Sequence, residues 1–288
     1  MERSGTSALP SGEDQRRLAI LIDADNAQPM VIEGLLAEVA KFGVAGVKRI
    51  YGDWTSTKHA QWKQSLLEHS ITPIQQFAYT TGKNATDSSM IIDAMDLMYS
   101  QKLDGFCLVS SDSDFTRLAQ RLREAGMVVY GFGERKTPKP FVVACDKFVY
   151  TEVLRKDAPS LPEAGAGTAT SSTTTQTPIA TPKSNGAPLQ AAIPKPLTGL
   201  ESPVDIISQA IEQGADEAGW AFLGAVGNYV TKIQPDFDPR LYGCRKLSDL
   251  LKKYPGRFET SERGSPGSPT KMIYARVIAA KVRDKRAE

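Results

Sequence analysis

Apolar residues along the chain recur in two rhythms. Leu18 to Ile22 and Gly105 to Val109 are short unbroken apolar runs, each closing on acidic or polar residues, and they predict strands buried on both faces. Val47 to Tyr51, Ile71 to Phe77 and Val128 to Gly131 predict three more strands, and Phe148 to Tyr150 a short sixth. Pro73 places the Ile71 strand at a sheet edge or gives it an irregular start. Between these runs the spacing changes to three and four residues. Pro29 fits the first turn of a helix with Val31, Leu35, Leu36 and Val39 on one face, closed by Gly43 to Gly46. Trp62, Leu66 and Leu67 fall on a second helix, Ile91, Ala94, Met95 and Met98 on a third, and Leu118, Ala119 and Leu122 on a fourth. Strand and helix alternate from Leu18 to Leu154, which predicts an α/β domain with a mostly parallel sheet covered on both faces.

The rhythm stops near Asp157. Ser, Thr, Ala, Pro and Gly dominate, and large apolar residues almost vanish until Leu197. Residues 157–199 are therefore expected to be a flexible linker. Pattern returns with Ser202 as a helix cap and Pro203 at the first helical position, followed by Val204, Ile207, Ala210 and Ile211. Trp220, Leu223, Val226, Val230 and Ile233 suggest a second helix, and Leu247, Leu250 and Leu251 a third, ended by Pro255-Gly256. Arg257 to Thr260 and Met272 to Val277 look like two strands joined by a turn at Gly264 to Pro269. Three helices and a hairpin in so short a space predict a winged helix. The expected organisation is a polar tail at 1–17, an α/β domain at 18–156, the linker, a winged helix at 200–280 and a basic tail at 281–288.

Composition changes this picture in only a few places. The chain has 288 residues, 41% of them hydrophobic, and a net charge of +2 that says nothing about partners. Cys107, Cys145 and Cys244 are widely spaced with no CxxC pair, which argues against a zinc site or a disulfide framework and fits a reducing cytoplasm. The polar start lacks the apolar segment of a signal peptide, and no run is long enough to span a membrane. The charge is unevenly placed, however. From Arg240 onward there are thirteen Lys and Arg against five Asp and Glu, the footprint of a module that binds nucleic acid, with a protein-binding surface as the plainer alternative.

The candidate chemistry lies in the acids. Asp23 closes the first strand and Asp112 follows the fourth. In a doubly wound sheet those strands can be neighbours at the point where winding reverses, and ligands bind in that crevice. Asp87 sits in the first turn of the third helix, on the stripe of Ile91, and Asp114 enters beside Asp112. A helix cap or a dipole partner would use one such acid; two aspartates one residue apart after Ser110 and Ser111 exceed that need. Asp93 and Asp96 lie off the stripe. Four carboxylates in one crevice repel one another unless cations neutralise them or some stay protonated. Hard oxygen ligands at an open edge suit Mg²⁺ or Mn²⁺. The matching chemistry is in-line attack on a phosphodiester, the ions stabilising the attacking and leaving oxygens. Asn26, Lys83, Ser110 and Ser111 are candidates to position water or phosphate, and Arg245, Lys246, Lys252 and Lys253 to hold RNA. Asp23-Ala24-Asp25 also resembles the nucleophile motif of haloacid-dehalogenase-type phosphatases, although Asn26 stands where that pattern has Thr or Val.

Taken together, Ile22-Asp23-Ala24-Asp25-Asn26, Gly82-Lys83-Asn84-Ala85-Thr86-Asp87, Ile92-Asp93-Ala94-Met95-Asp96 and Val109-Ser110-Ser111-Asp112-Ser113-Asp114-Phe115 resemble the NYN family of the PIN-like nuclease superfamily, close to its LabA-like group. The resemblance implies a PIN-like three-layer α/β/α fold and divalent-metal-dependent ribonuclease activity, with Asp23, Asp87, Asp112 and Asp114 as ligands. It implies that Asp93 supports the ligands rather than binding the ion. Asp25 departs from the small residue many relatives have, which leaves its part in the site open. Leu241 to Leu251, with Phe258 opening a wing, resembles the LOTUS or OST-HTH domain, associated with RNA and in some members with helicase partners. The implied protein is a cytoplasmic ribonuclease with a tethered RNA-binding module. A non-catalytic RNA-binding scaffold is the alternative.

Overall fold

The computed structural model describes residues 15–77, 85–155, 202–264 and 271–278. Six parallel strands form the first sheet: β1 (Arg17–Asp23), β2 (Val44–Gly52), β3 (Thr72–Gln75), β4 (Gly105–Val109), β5 (Val128–Gly133) and β6 (Lys147–Tyr150). Their order is β3-β2-β1-β4-β5-β6, so winding reverses between β1 and β4 as the sequence predicts. Pro73 lies on the edge strand β3, where its missing N–H is tolerated. The unbroken apolar run of β1 follows from burial on both sides. Leu18, Ile20 and Ile22 pack with α1 (Ile32–Val39) and with Trp62, just before α2 (Lys63–His69). Ala19 and Leu21 pack with α3 (Ala85–Tyr99), α4 (Thr116–Glu124) and α5 (Lys139–Ala144) on the opposite face. The layers are those of an α/β/α sandwich.

Two local readings change. Trp62 lies in a 3-10 turn, Thr57–Trp62, and not on α2; it is fully buried, whereas Leu67 on the helix is 76% exposed. The helix α5 was not foreseen. Six residues behind Pro138 are too few to display a helical period, yet Phe141 and Val142 are buried.

The C-terminal part is winged-helix-like. Its helices are α6 (Pro203–Gly214), α7 (Leu223–Ile233) and α8 (Leu247–Lys252). Ser202 caps α6, its Oγ accepting from the Val204 N–H at 3.4 Å. A small antiparallel sheet runs β7-β9-β8, with β7 at Ala221–Phe222, β8 at Phe258–Gly264 and β9 at Lys271–Val277. The strand β7 corrects the sequence reading, which put Trp220 on the second helix; α7 starts only at Leu223. Ile207, Ile211, Val226, Val230, Leu250, Phe258 and Ala275 form the core of this part.

Both parts belong to one compact unit. The outer edge of β6 is covered: the Phe148 N–H donates to the Pro235 carbonyl at 2.9 Å, and the Tyr150 hydroxyl to the Asp236 carboxylate at 2.9 Å. The Arg240 guanidinium donates to both oxygens of Glu38 on α1, at 2.9 and 3.1 Å, and to Asp238 at 2.6 Å. Burial alone would raise the Glu38 carboxyl, but hydrogen bonds from Arg240 and Lys41 outweigh it and hold the group below the usual carboxylate range. Glu38 ionised in the folded state therefore adds stability above its ordinary pKa of 4.5, and that contribution fades as pH falls below it. Arg240→Ala strands a buried carboxylate and is expected to cost about 2 kcal/mol at pH 7. Urea unfolding at pH 7 and pH 4 checks this, the loss shrinking at the lower pH as Glu38 takes up its proton.

Candidate metal centre

The reversal point brings β1 and β4 side by side, so the residues closing them meet. Asp23, 1% exposed, has both oxygens engaged. Its Oδ2 accepts from Asn26 Nδ2 at 2.7 Å and Ser110 Oγ at 2.9 Å, and its Oδ1 from the Asp25 N–H at 2.9 Å. Burial raises the Asp23 pKa, and these hydrogen bonds only partly offset it. The Ser110 backbone packs directly on Gly133 at the end of β5, where a Cβ would lie 2.6 Å from the Ser110 carbonyl oxygen. Ser110 Oγ also accepts from the Asp112 N–H at 3.1 Å, which ties the loop after β4 to Asp23.

Asp112 is a cap and more. Its side chain accepts from the Asp114 N–H at 2.9 Å at the start of the 3-10 turn Ser113–Phe115. Its carboxylate also gathers with those of Asp87, in the first turn of α3, and Asp114, one oxygen of each within 4.8 Å of the others. Burial, then the charges of Asp23, Asp112, Asp114 and Asp25, pushes the Asp87 carboxyl up to about 6. A partly open group of hard oxygen donors whose charges oppose one another fits a divalent cation. Of the four acids expected to be ligands, three share this cluster. Asp23 lies near enough to act on Asp87 by charge, but its oxygens are committed to Asn26, Ser110 and a backbone N–H.

The remaining candidates separate. Asn26 and Ser110 hold Asp23, while Ser111 Oγ accepts from the Glu134 N–H at 2.8 Å. Asp93 binds the Arg49 guanidinium and the Tyr51 hydroxyl. Asp25 pairs with Lys58, and His59 Nε2 lies 3.5 Å from it. Lys83 lies outside the described residues. Arg245, Lys246 and Lys252 are exposed, whereas the Lys253 ammonium donates to the carbonyls of Tyr242, at 2.8 Å, and Gly243. The sequence reading missed two groups. His59 is buried with no hydrogen bond to Nε2, and Arg155 lines a cleft with Asn26, Gln28, Ser110 and Glu134, its Nε buried and unbonded. Neither sits in a motif, so only the folded chain brings them to this edge. Among the described residues, no helix is long and apolar enough to cross a membrane.

The family model of the NYN domain matches residues 17–154, and that of the OST-HTH/LOTUS domain residues 200–269. Among solved structures, an uncharacterised protein of Nitrosomonas europaea is 44% identical over 38% of this chain and 99% of its own, with a TM-score of 0.28. A Chromobacterium violaceum protein fragment is 32% identical over 32% of this chain and 92% of its own, with a TM-score of 0.23. A Vibrio parahaemolyticus protein of unknown function is 21% identical over 47% of this chain and 93% of its own, with a TM-score of 0.40. No curated protein matches the chain.

The raised Asp87 pKa has a stability consequence. Its folded pKa of about 6 exceeds the ordinary 3.8, so folding opposes ionisation, and stability falls as pH rises from 3.8 through 6. In chelator, Asp87→Asn is expected to be about 1–2 kcal/mol more stable than wild type at pH 8, half-exposure discounting the full shift. The gain disappears below about pH 4, where Asp87 is neutral in both states. Urea unfolding in EDTA across this range measures it.

Proposed function

From an NYN domain at residues 17–154, which belongs to the PIN-like nuclease superfamily, followed by an OST-HTH/LOTUS domain at residues 200–269, we propose a divalent-metal-dependent ribonuclease whose second domain holds the RNA. The observation that carries this reading is the gathering of Asp87, Asp112 and Asp114 at the carboxyl edge of the sheet, beside the buried Asp23. Asp87, Asp112 and Asp114 would hold Mg²⁺ or Mn²⁺, with Asp23 adding charge from behind. When bound, such an ion supplies Lewis-acid activation of water and neutralises charge building on a phosphodiester. The chain's own work is positional. Asn26 and Ser110 fix Asp23, Ser110 fixes the Asp112 backbone, and Asp112 fixes that of Asp114. Arg155 lines the cleft beside Asn26 and Ser110. Arg245, Lys246 and Lys252 offer exposed positive charge on the second domain, with Lys253 beside them. Residues 157–199 join the domains as a linker, and the buried free cysteines Cys107, Cys145 and Cys244 fit a reducing, cytoplasmic setting.

The phosphatase reading is not favoured. It requires Asp23 open to attack a substrate, and Asp23 is buried with both oxygens bonded. Labelled RNA incubated with the full-length protein is expected to be cut with Mn²⁺ or Mg²⁺ and to stay intact in EDTA. Asp112→Asn, which removes one charge from the cluster and leaves the cap oxygen, is expected to slow cutting about 100-fold or more while the protein stays folded. Undiminished cutting in EDTA overturns the metal's role. RNA binding without cutting under both ions points to the scaffold.

A further inference from the structure

The small sheet of the second domain has two unlike faces. Along β9, Ile273, Ala275 and Val277 point into the core, so Met272, Tyr274 and Arg276 point outward. Strand register places Arg263 opposite Met272, Ser261 opposite Tyr274 and Glu259 opposite Arg276 on that outer face, and Phe222 of β7 on the far side of Tyr274. Phe222 is 44% and Met272 47% exposed, and neither Trp220, Phe222, Met272 nor Tyr274 is part of the core. Folding does not require large apolar side chains here; an outward strand face is ordinarily polar.

These residues are also organised. The Arg263 guanidinium lies 5.0 Å from the centre of the Trp220 ring and 4.6 Å from that of Tyr274, and the Arg276 guanidinium 4.8 Å from Trp220. Phe222 and Tyr274 meet with ring centres 5.9 Å apart. Asp216 ties down the loop before β7, accepting from the N–H groups of Ala218 and Trp220, and pairs with Arg263 at 3.7 Å; Glu259 pairs with Arg276 at 2.7 Å. The result is a field of flat groups, aromatic rings alternating with held planar cations.

We infer that this outer face is a stacking platform for unpaired RNA bases, with Trp220, Phe222, Tyr274, Arg263 and Arg276 as its contact residues. It deepens the RNA-binding reading on which it rests, by naming single-stranded RNA as the form bound. Rings and guanidinium planes stack on exposed bases, and duplex RNA hides its bases inside the helix. A protein partner fits less well, because covering the face would desolvate the two ion pairs on it, and the buried parts of protein interfaces are poor in charge. The phosphates of a bound strand instead meet arginines that remain partly open to water.

The test is fluorescence anisotropy of full-length protein in EDTA, so that cutting plays no part. The probes are a labelled single-stranded oligouridylate, a single-stranded oligoadenylate and a duplex RNA of the same length. Phe222→Ala combined with Tyr274→Ala is expected to weaken binding of both single strands about tenfold or more and of the duplex less than twofold. Phe222→Ala alone removes a half-exposed ring outside the core and is expected to weaken single-strand binding severalfold; it keeps the test decisive if the double variant misfolds. Tyr274→Phe, which keeps the ring, is expected to bind as wild type. Single-strand binding unchanged in the Phe222 variant, or equal losses on single strand and duplex, overturns the platform and leaves RNA binding standing. No binding of any probe by the wild type overturns both.

Discussion

Like charges held close together at the edge of a low-dielectric sheet are the constraint around which the α/β domain is arranged. The charges of Asp23, Asp112 and Asp114 all act on Asp87 there, and two responses are visible. Asp23 is buried and held by three hydrogen bonds, which offset part of the cost of burying its carboxyl at the expense of its freedom. Asp87, Asp112 and Asp114 stay more open, and the Asp87 pKa is raised, first by burial and then by the charges of its neighbours. The apolar layers on both faces of β1 and β4 supply the stability that tolerates this strain. A cation bound at this edge would relieve the repulsion and so stabilise the folded domain.

What the sequence disclosed follows from what is local. The runs of β1 and β4 are continuous because both faces are buried, so their ends, and therefore Asp23 and Asp112, could be located without a structure. Pro73 marked an edge strand and Ser202-Pro203 a helix start, because each acts through its own backbone. Short elements escaped: α5 has six residues and β7 two, fewer than a period needs to repeat. Trp220 was misplaced for the same reason, since its apolar character fits a helix stripe as well as an outward strand face. Partners far apart in sequence left no trace. Nothing near Asp93 names Arg49 and Tyr51, and nothing near Glu38 names Arg240. The basic count beyond Arg240 also treats all cations alike, although the Arg240 guanidinium serves Glu38 and Asp238, and the Lys253 ammonium two carbonyls.

That last point alters how the second domain contributes. A linker alone confers nearness, with an effective concentration set by its length. The segment Pro235 to Arg240 adds orientation, because backbone carbonyl, carboxylate and guanidinium groups there bond to β6 and α1 at several points. These contacts use the connection between α7 and α8. The outer face of β7-β9-β8 takes no part in them and stays exposed at Phe222 and Met272. One small domain thus uses separate surfaces for docking and for display. Ligand on the displayed face need not compete with the clasp, and the ordering entropy of the domain is met on folding rather than on binding. A strand captured there would meet a domain already fixed in orientation, which is the condition under which binding energy positions a substrate instead of merely retaining it.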